Sequence, residues 1–285
     1  MRAVGVVRTQ GASVAVWGVL NVTPDSFSDG GRFISTAAAL DHASRMLAEG
    51  ADVIDVGGES SRPKGDTYGA GAPPVSGDEE LARVLPVVER LVGDLGARVS
   101  IDTVKPEVAR RALAAGARIV NDVSCGRSEA LMAAAAEADA DLVLMHNRGR
   151  GEVTPDNARY DDPVRDVVSE LLAAVDRAVS LGMAAERIWV DPGIGFAKTP
   201  SQSAAILANT SALVATGYPV LVGPSRKSFI ARIAPHADGS EPGPDERLGG
   251  TAAALTGAVL GGARAVRVHD VAVMRQAVRV AEVLR

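Results

Sequence analysis

The feature that most limits how this chain can fold is a recurrence. Eight short apolar runs are each followed by a stretch with helical periodicity. The runs are Val14–Leu20, Val53–Val56, Arg98–Ile101, Arg118–Val120, Leu142–Met145, Arg187–Val190, Pro219–Val222 and Ala265–Val268. Most are rich in Val, Ile and Leu with little polar alternation, the pattern of parallel strands covered on both faces. The helical stretches include Thr36–Glu49, Glu79–Leu91, Pro106–Ala115, Ser128–Ala138, Pro163–Leu181, Ser203–Ala215 and Arg247–Leu260. Several end in a Gly-Ala step, at 50–51, 96–97, 116–117 and 262–263, where glycine supplies a left-handed helix cap. Eight βα units predict an α/β fold, a single (β/α)8 TIM barrel with its active site at the C-terminal face. The 285 residues suit such a barrel, which typically takes about 250. We read 1–285 as one domain, with residues 1–13 a lead-in that caps the barrel bottom and 62–77 an extended second loop.

Composition excludes several function classes. The net charge is -5 with scattered basic residues, so no basic stripe for nucleic acid is expected. No uncharged apolar run approaches the roughly 20 residues of a membrane span. The N-terminus shows no basic-then-apolar leader pattern. One cysteine, Cys125, precludes an internal disulfide and fits a reducing, cytoplasmic setting. With 47% hydrophobic but only 3% aromatic residues, aliphatic side chains must fill the core.

In a barrel, polar residues at strand ends converge on one mouth. Here they are Asn21; Asp55 and the run Gly57–Pro63; Asp102 and Lys105; Asn121 and Asp122; His146; Asp191; Ser225 to Ser228; and Arg267, His269 and Asp270. Asp102, Asn121, Asp191 and Lys227 mix donors and acceptors in a way that suits the edge of a flat, nitrogen-rich heterocycle. Asn21, Ser61, Arg62, Arg267 and His269 suit a phosphate group with a hard cation. A heterocycle edge beside such an anion site suggests displacement of pyrophosphate from a pterin-like electrophile. Bland readings stand beside these. Asp55 orients the second loop, and His146 either caps the fifth strand or acts at the site. Lys105 is a surface or a functional residue, Cys125 is an inert thiol, and His42 and His236 lie on the surface. The stretch 235–245 is a solvated connector.

The motifs NVTPDSFSDGG (21–31), DVGGESSRP (55–63), IDTVKP (101–106), VNDVS (120–124), MH (145–146), DPGIGFAK (191–198), SRKSF (225–229) and RVHDV (267–271) span essentially the whole chain. In this order they resemble the dihydropteroate synthase family of folate biosynthesis. The resemblance implies condensation of 6-hydroxymethyl-7,8-dihydropterin pyrophosphate with p-aminobenzoate. It implies a pterin site of Asp102, Asn121, Met145, Asp191 and Lys227. Asn21, Ser61, Arg62, Arg267 and His269 would hold pyrophosphate, with Asn21 as ligand to Mg2+. The p-aminobenzoate site would comprise Phe27, Pro63, Phe196, Lys227 and Ser228. Catalysis would fall to Asp102, Lys227, Arg267, His269 and Asp29, and Asp25 belongs to the same closing loop. Sulfonamides as inhibitors and a homodimer formed through helices on one side of the barrel are also implied. The chain departs from the family at Ser61, where a threonine is usual, and in an insertion at about 64–74 after Arg62-Pro63. The competing readings are a methyltetrahydrofolate-dependent methyltransferase on the same barrel and a non-catalytic pterin-binding paralogue.

Overall fold

The computed structural model describes residues 13–23, 36–59, 75–149, 154 and 156–285. The expectations placed on residues 1–12, Asp25, Phe27, Asp29, Ser61, Arg62, Pro63 and the insertion at 64–74 lie outside them.

Eight strands form one sheet: β1 (Ala15–Asn21), β2 (Val53–Gly57), β3 (Val99–Asp102), β4 (Ile119–Asp122), β5 (Asp141–Met145), β6 (Ile188–Asp191), β7 (Leu221–Val222) and β8 (Ala265–Val268). Their order is β6-β5-β4-β3-β2-β1-β8-β7, and every pair is parallel. A parallel bridge between Val190 and Val220 joins the two ends, so the sheet closes on itself. The (β/α)8 barrel expected from the recurrence is therefore present.

The outer helices are α1 (Thr36–Ala48), α2 (Gly77–Gly93), α3 (Pro106–Ala114), α4 (Glu129–Glu137), α5 (Pro163–Ser180), α6 (Pro200–Ala208), α7 (Thr210–Val214), α8 (Ser228–Ile233), α9 (Leu248–Leu260) and α10 (Val271–Leu284). Local chemistry sets many starts. Ser76, Ser128, Asp162 and Thr199 each accept a hydrogen bond from a first-turn amide. Two segments differ from expectation. The stretch 203–215 breaks at Asn209 into α6 and α7, and α10 adds a closing helix beyond Leu260. The four Gly-Ala steps behave as expected, with φ of +100, +59, +105 and +104 at residues 50, 96, 116 and 262. At Gly116 the step is doubly constrained, because a Cβ would fall 2.7 Å from Val92 Cγ1.

Strand parity builds two cores. Outward residues such as Val16, Ile54, Val120, Leu142 and Val266 pack on Leu40, Val84, Leu131, Leu171 and Val278 of the helices. Inward residues Trp17, Val53, Ile119, Val143, Leu221 and Ala265, with Trp189 against them, plug the barrel's interior. The two indole rings lie 6.0 Å apart at 54°, a tilted aromatic contact. This plug is a packed floor, not a pore.

Candidate active site

The next inward position on each strand is two residues further along, because side chains alternate faces. From Val53, Ile119, Val143, Trp189 and Ala265 that step reaches Asp55, Asn121, Met145, Asp191 and Arg267. The apolar floor thus carries a polar layer, and Asp102 joins it from β3, in register with Asn121 and Gly57.

Arg267 ties this layer together. Its Nε donates to Asp55 Oδ2 at 2.5 Å and its Nη2 to Asp102 Oδ2 at 2.8 Å. Asn121 Nδ2 donates to the same Asp55 oxygen at 3.1 Å. Asp55 is fully buried, and its other oxygen has no hydrogen-bond partner. Asp55 thus does more than orient the second loop. It fixes Arg267 and Asn121, and the sequence signal was a lone carboxylate inside an otherwise apolar strand. Burial raises the Asp102 carboxyl to about 7, against the lowering effect of the Arg267 guanidinium.

Asp191 and Lys227 form the opposite wall. Asp191 is buried and accepts from the Gly193 amide at 2.7 Å. Burial raises its pKa, while the Lys227 charge lowers it. Lys227 donates to the Ile194 carbonyl, and its Nζ lies 4.2 Å from the Phe196 ring centroid. Burial pushes the Lys227 ammonium down to about 8, with Asp191 opposing. Some of this side chain still reaches the open mouth, so water screens part of that effect. Ser228 follows at the first position of α8, and Met145 lies buried at the end of β5.

His269 stands beside Arg267's strand end, with Nδ1 2.9 Å from Ser225 Oγ; the His269 amide also donates to that oxygen at 3.2 Å. Arg226 is committed to neighbouring loops. It grips Asp270 through Nε at 2.9 Å and Nη2 at 2.6 Å and reaches Asp245 at 2.5 Å, tying the loop after β7 to the one after β8. The connector at 235–245 therefore contributes anchors, Asp245 to Arg226 and the Pro242 carbonyl to buried Arg247 at 2.9 Å. Asp122 is consumed by its own turn, accepting from the Ser124 and Gly126 amides at 2.8 and 2.7 Å. Lys105 binds Glu59 and Glu80 and so braces the base of the second loop. His236 is exposed and His42 half-buried.

Among the described residues, Asn21 is the candidate ligand for a divalent cation. Asn21 ends β1 opposite Gly57, and a Cβ at residue 57 would lie 3.8 Å from Asn21 Oδ1 and 3.6 Å from Asp102 Cβ. Glycine at 57 thus keeps the backbone close to both the Asn21 oxygen and the Asp102 side chain. Among the described residues no three His, Cys, Asp or Glu side chains gather as a metal cage. The donor set fits a Mg2+ that brings its remaining ligands as phosphate oxygens and waters, not a cage-bound ion.

Comparison with known proteins decides the family. The model of the family described as "Pterin binding enzyme" matches residues 17–269. A dihydropteroate synthase of Mycobacterium leprae is 48% identical over 271 residues, covering 94% of this chain and 93% of the relative. The chain belongs to the dihydropteroate synthase family. Solved dihydropteroate synthases agree in fold. That of Xanthomonas albilineans with 4-aminobenzoic acid has a TM-score of 0.84 at 41% identity, covering 96% of this chain and 93% of that one. That of Yersinia pestis with a sulfonamide drug has a TM-score of 0.86 at 38% identity, covering 96% and 94%.

The chain's one thiol, Cys125, lies in the loop after β4 and has no hydrogen bond to the polar layer. Cys125 occupies a left-handed turn at φ 64, and burial raises its thiol pKa, so little reactive thiolate forms at neutral pH. Cys125→Ser is expected to leave kcat and both KM values within about twofold of the parent. Loss of activity in that variant would overturn the boundary drawn around the site.

Proposed function

We propose that this dihydropteroate synthase family member condenses 6-hydroxymethyl-7,8-dihydropterin pyrophosphate with p-aminobenzoate, yielding 7,8-dihydropteroate and pyrophosphate. The observation that carries the reading is Arg267 spanning Asp55 and Asp102. Its guanidinium, suited to binding an anion, sits directly against a carboxylate suited to reading a heterocycle edge, which supports a reacting methylene lying next to this pair. A guanidinium has five N–H donors. The two used on Asp55 and Asp102 leave others for a phosphate.

Asp102, Asn121, Asp191 and Lys227 read the pterin edge, and Met145 packs on its ring. Asn21, Arg267 and His269 hold the pyrophosphate, with Ser61 and Arg62 assigned there by sequence. A bound Mg2+ would neutralise charge on the departing pyrophosphate. The methylene C–O bond breaks with its electron pair leaving on pyrophosphate. The resulting cation is delocalised over the pterin, and the carboxylates of Asp102 and Asp191 stabilise it. The arylamine nitrogen then bonds to the methylene carbon, and the acidic arylammonium formed releases its proton to water or the departed pyrophosphate. An arylamine is already nucleophilic, so no general base is required. Asp29 is assigned to the same electrostatic role, and Phe27, Pro63, Phe196, Lys227 and Ser228 to the p-aminobenzoate site.

We take 1–285 as one barrel domain, cytoplasmic and homodimeric. The apolar side chains Val273, Val280 and Leu284 of α10 and Leu260 of α9 are exposed on adjoining helices, which supports a self-association face. No described helix is long and apolar enough to cross a membrane.

The test is to incubate the purified chain with the pterin pyrophosphate, p-aminobenzoate and Mg2+, following both products. Stoichiometric dihydropteroate and pyrophosphate are expected, with sulfonamides competing against p-aminobenzoate. Absence of both products rejects the reading in favour of the methyltransferase or the non-catalytic paralogue.

A further inference from the structure

A buried lysine behind the site wall has no part in the scheme above. Lys198 is 2% exposed. Its Nζ lies 2.9 Å from His146 Nδ1, 2.9 Å from the Phe196 carbonyl and 3.1 Å from the Gly193 carbonyl, with the His146 carbonyl further off at 3.5 Å. An ammonium carries three N–H donors and no acceptor, and these close contacts satisfy all of them. None is a carboxylate. With Lys198 charged, His146 Nδ1 accepts, so the ring proton sits on Nε2 and faces Glu170 at 3.1 Å. Burial keeps His146 neutral, with its pKa down at about 4 despite that carboxylate.

The backbone around the ammonium is a tight curl. Gly193, Gly195 and Ala197 all have left-handed φ, at +62, +80 and +48. Such a conformation is unfavourable at an alanine, so surrounding contacts must hold it. The Tyr160 hydroxyl donates to the Ala197 carbonyl at 3.0 Å, and a Cβ on Gly193 would come within 2.0 Å of the His146 carbonyl. The curl is thus clamped to the end of β5 from outside and filled by Lys198 from inside. Its other side faces the site, where the Ile194 carbonyl accepts from Lys227 and the Phe196 ring lies beneath Lys227 Nζ.

We infer that Lys198 is a positioning residue: from inside the curl it sets the Phe196 ring and the Ile194 carbonyl, and through them the Lys227 ammonium where the arylamine docks. This rests on the synthase reading. Stability alone does not explain a lysine here. A buried ammonium without a carboxylate partner is costly, and a methionine of similar length would avoid that cost. Burial pulls the Lys198 pKa down to about 7, with the Lys227 charge adding and Asp191 opposing, which agrees with that cost.

Lys198→Met tests the inference. The thermal midpoint should be unchanged or higher. The KM for p-aminobenzoate should rise by about tenfold or more, the scale of lost charge-assisted hydrogen bonds, with a smaller change for the pterin substrate. Amide exchange in a peptide spanning residues 193–199 should quicken in the same sample. An unchanged p-aminobenzoate KM, parameters that fall together with the folded fraction, or unchanged exchange would each overturn it. The exchange measurement decides the curl even if the parent chain makes no dihydropteroate, an outcome that would reject the synthase reading instead. Should the methionine variant not fold, Lys198→Gln retains two donors and carries the same readouts.

Discussion

Replacing Lys227 with alanine is expected to lower kcat/KM by about 10³-fold or more, since removing one preorganised electrostatic donor alone costs roughly 10²–10³. Lys227 meets several demands at once. It is the positive charge beside Asp191 and lies over the Phe196 ring, and in the proposed reading it also donates toward the heterocycle and helps wall the arylamine site. Its loss also changes Asp191. That carboxyl is already raised by burial, and Lys227 is the first of the groups that lower it. Without the ammonium it rises further, which weakens Asp191 as the acceptor that a pterin amine needs. Both substrates should therefore bind more weakly, which separates this variant from one that damages a single subsite. The pH dependence adds a second signature. Lys227 is charged below its pKa of about 8, so activity should fall as pH rises through that value. The alanine variant should lack that basic limb. Calorimetric titration of the pterin substrate checks the claim, and an undiminished pterin affinity would remove Lys227 from the site.

Much of the barrel was readable because parallel strands buried on both faces leave contiguous apolar runs, and because glycine caps punctuate the helices. The site was readable for a related reason: Asn121, Asp191 and Arg267 are polar residues in or at the end of runs that have no other use for polarity. Side-chain parity was harder to see. Apolar residues on both faces hide which ones point inward, so Trp17 and Val53 could not be assigned to the floor or Asp55 to the layer above it. Asp55 consequently read as a loop support, whereas it holds Arg267 and Asn121. Arg226 and Lys227 are adjacent and both cationic, yet one is spent on Asp270 and the other turns to the Ile194 carbonyl and Asp191, with a left-handed backbone at Arg226, φ 59, between the two directions. Lys198 was invisible for the opposite reason. Its partners are mostly carbonyls, which every residue carries and no sequence pattern reports.

Replacing Arg267 with methionine should cost stability and activity together, and pH distinguishes the causes. The guanidinium is the partner of a fully buried Asp55 and of Asp102. Breaking a buried pair from one side typically costs about 3–5 kcal/mol, and the lower end is expected here because the Arg267 side chain keeps 21% of its surface at the open mouth. The rate should drop by about 10³-fold as pyrophosphate loses its fixed donor. Arg267 also lowers the Asp102 pKa and, by repulsion, that of Lys227. Without it both values rise. On the proposed reading Asp102 acts ionised and Lys227 charged, so kcat/KM of the parent should peak between about 7 and about 8. In the variant both limbs should move to higher pH. Stability follows the same sign. A carboxyl with a folded pKa raised from 3.8 to about 7 favours the folded state below the unfolded value and loses that contribution as pH rises through about 7. Removing Arg267 enlarges this loss. Denaturant midpoints should thus show a wider gap between parent and variant at pH 8 than at pH 5. A gap that stays constant across that range would mean that Arg267 does not govern the charge on Asp102, and the assignment of the pair as one unit at the reacting methylene would fall with it.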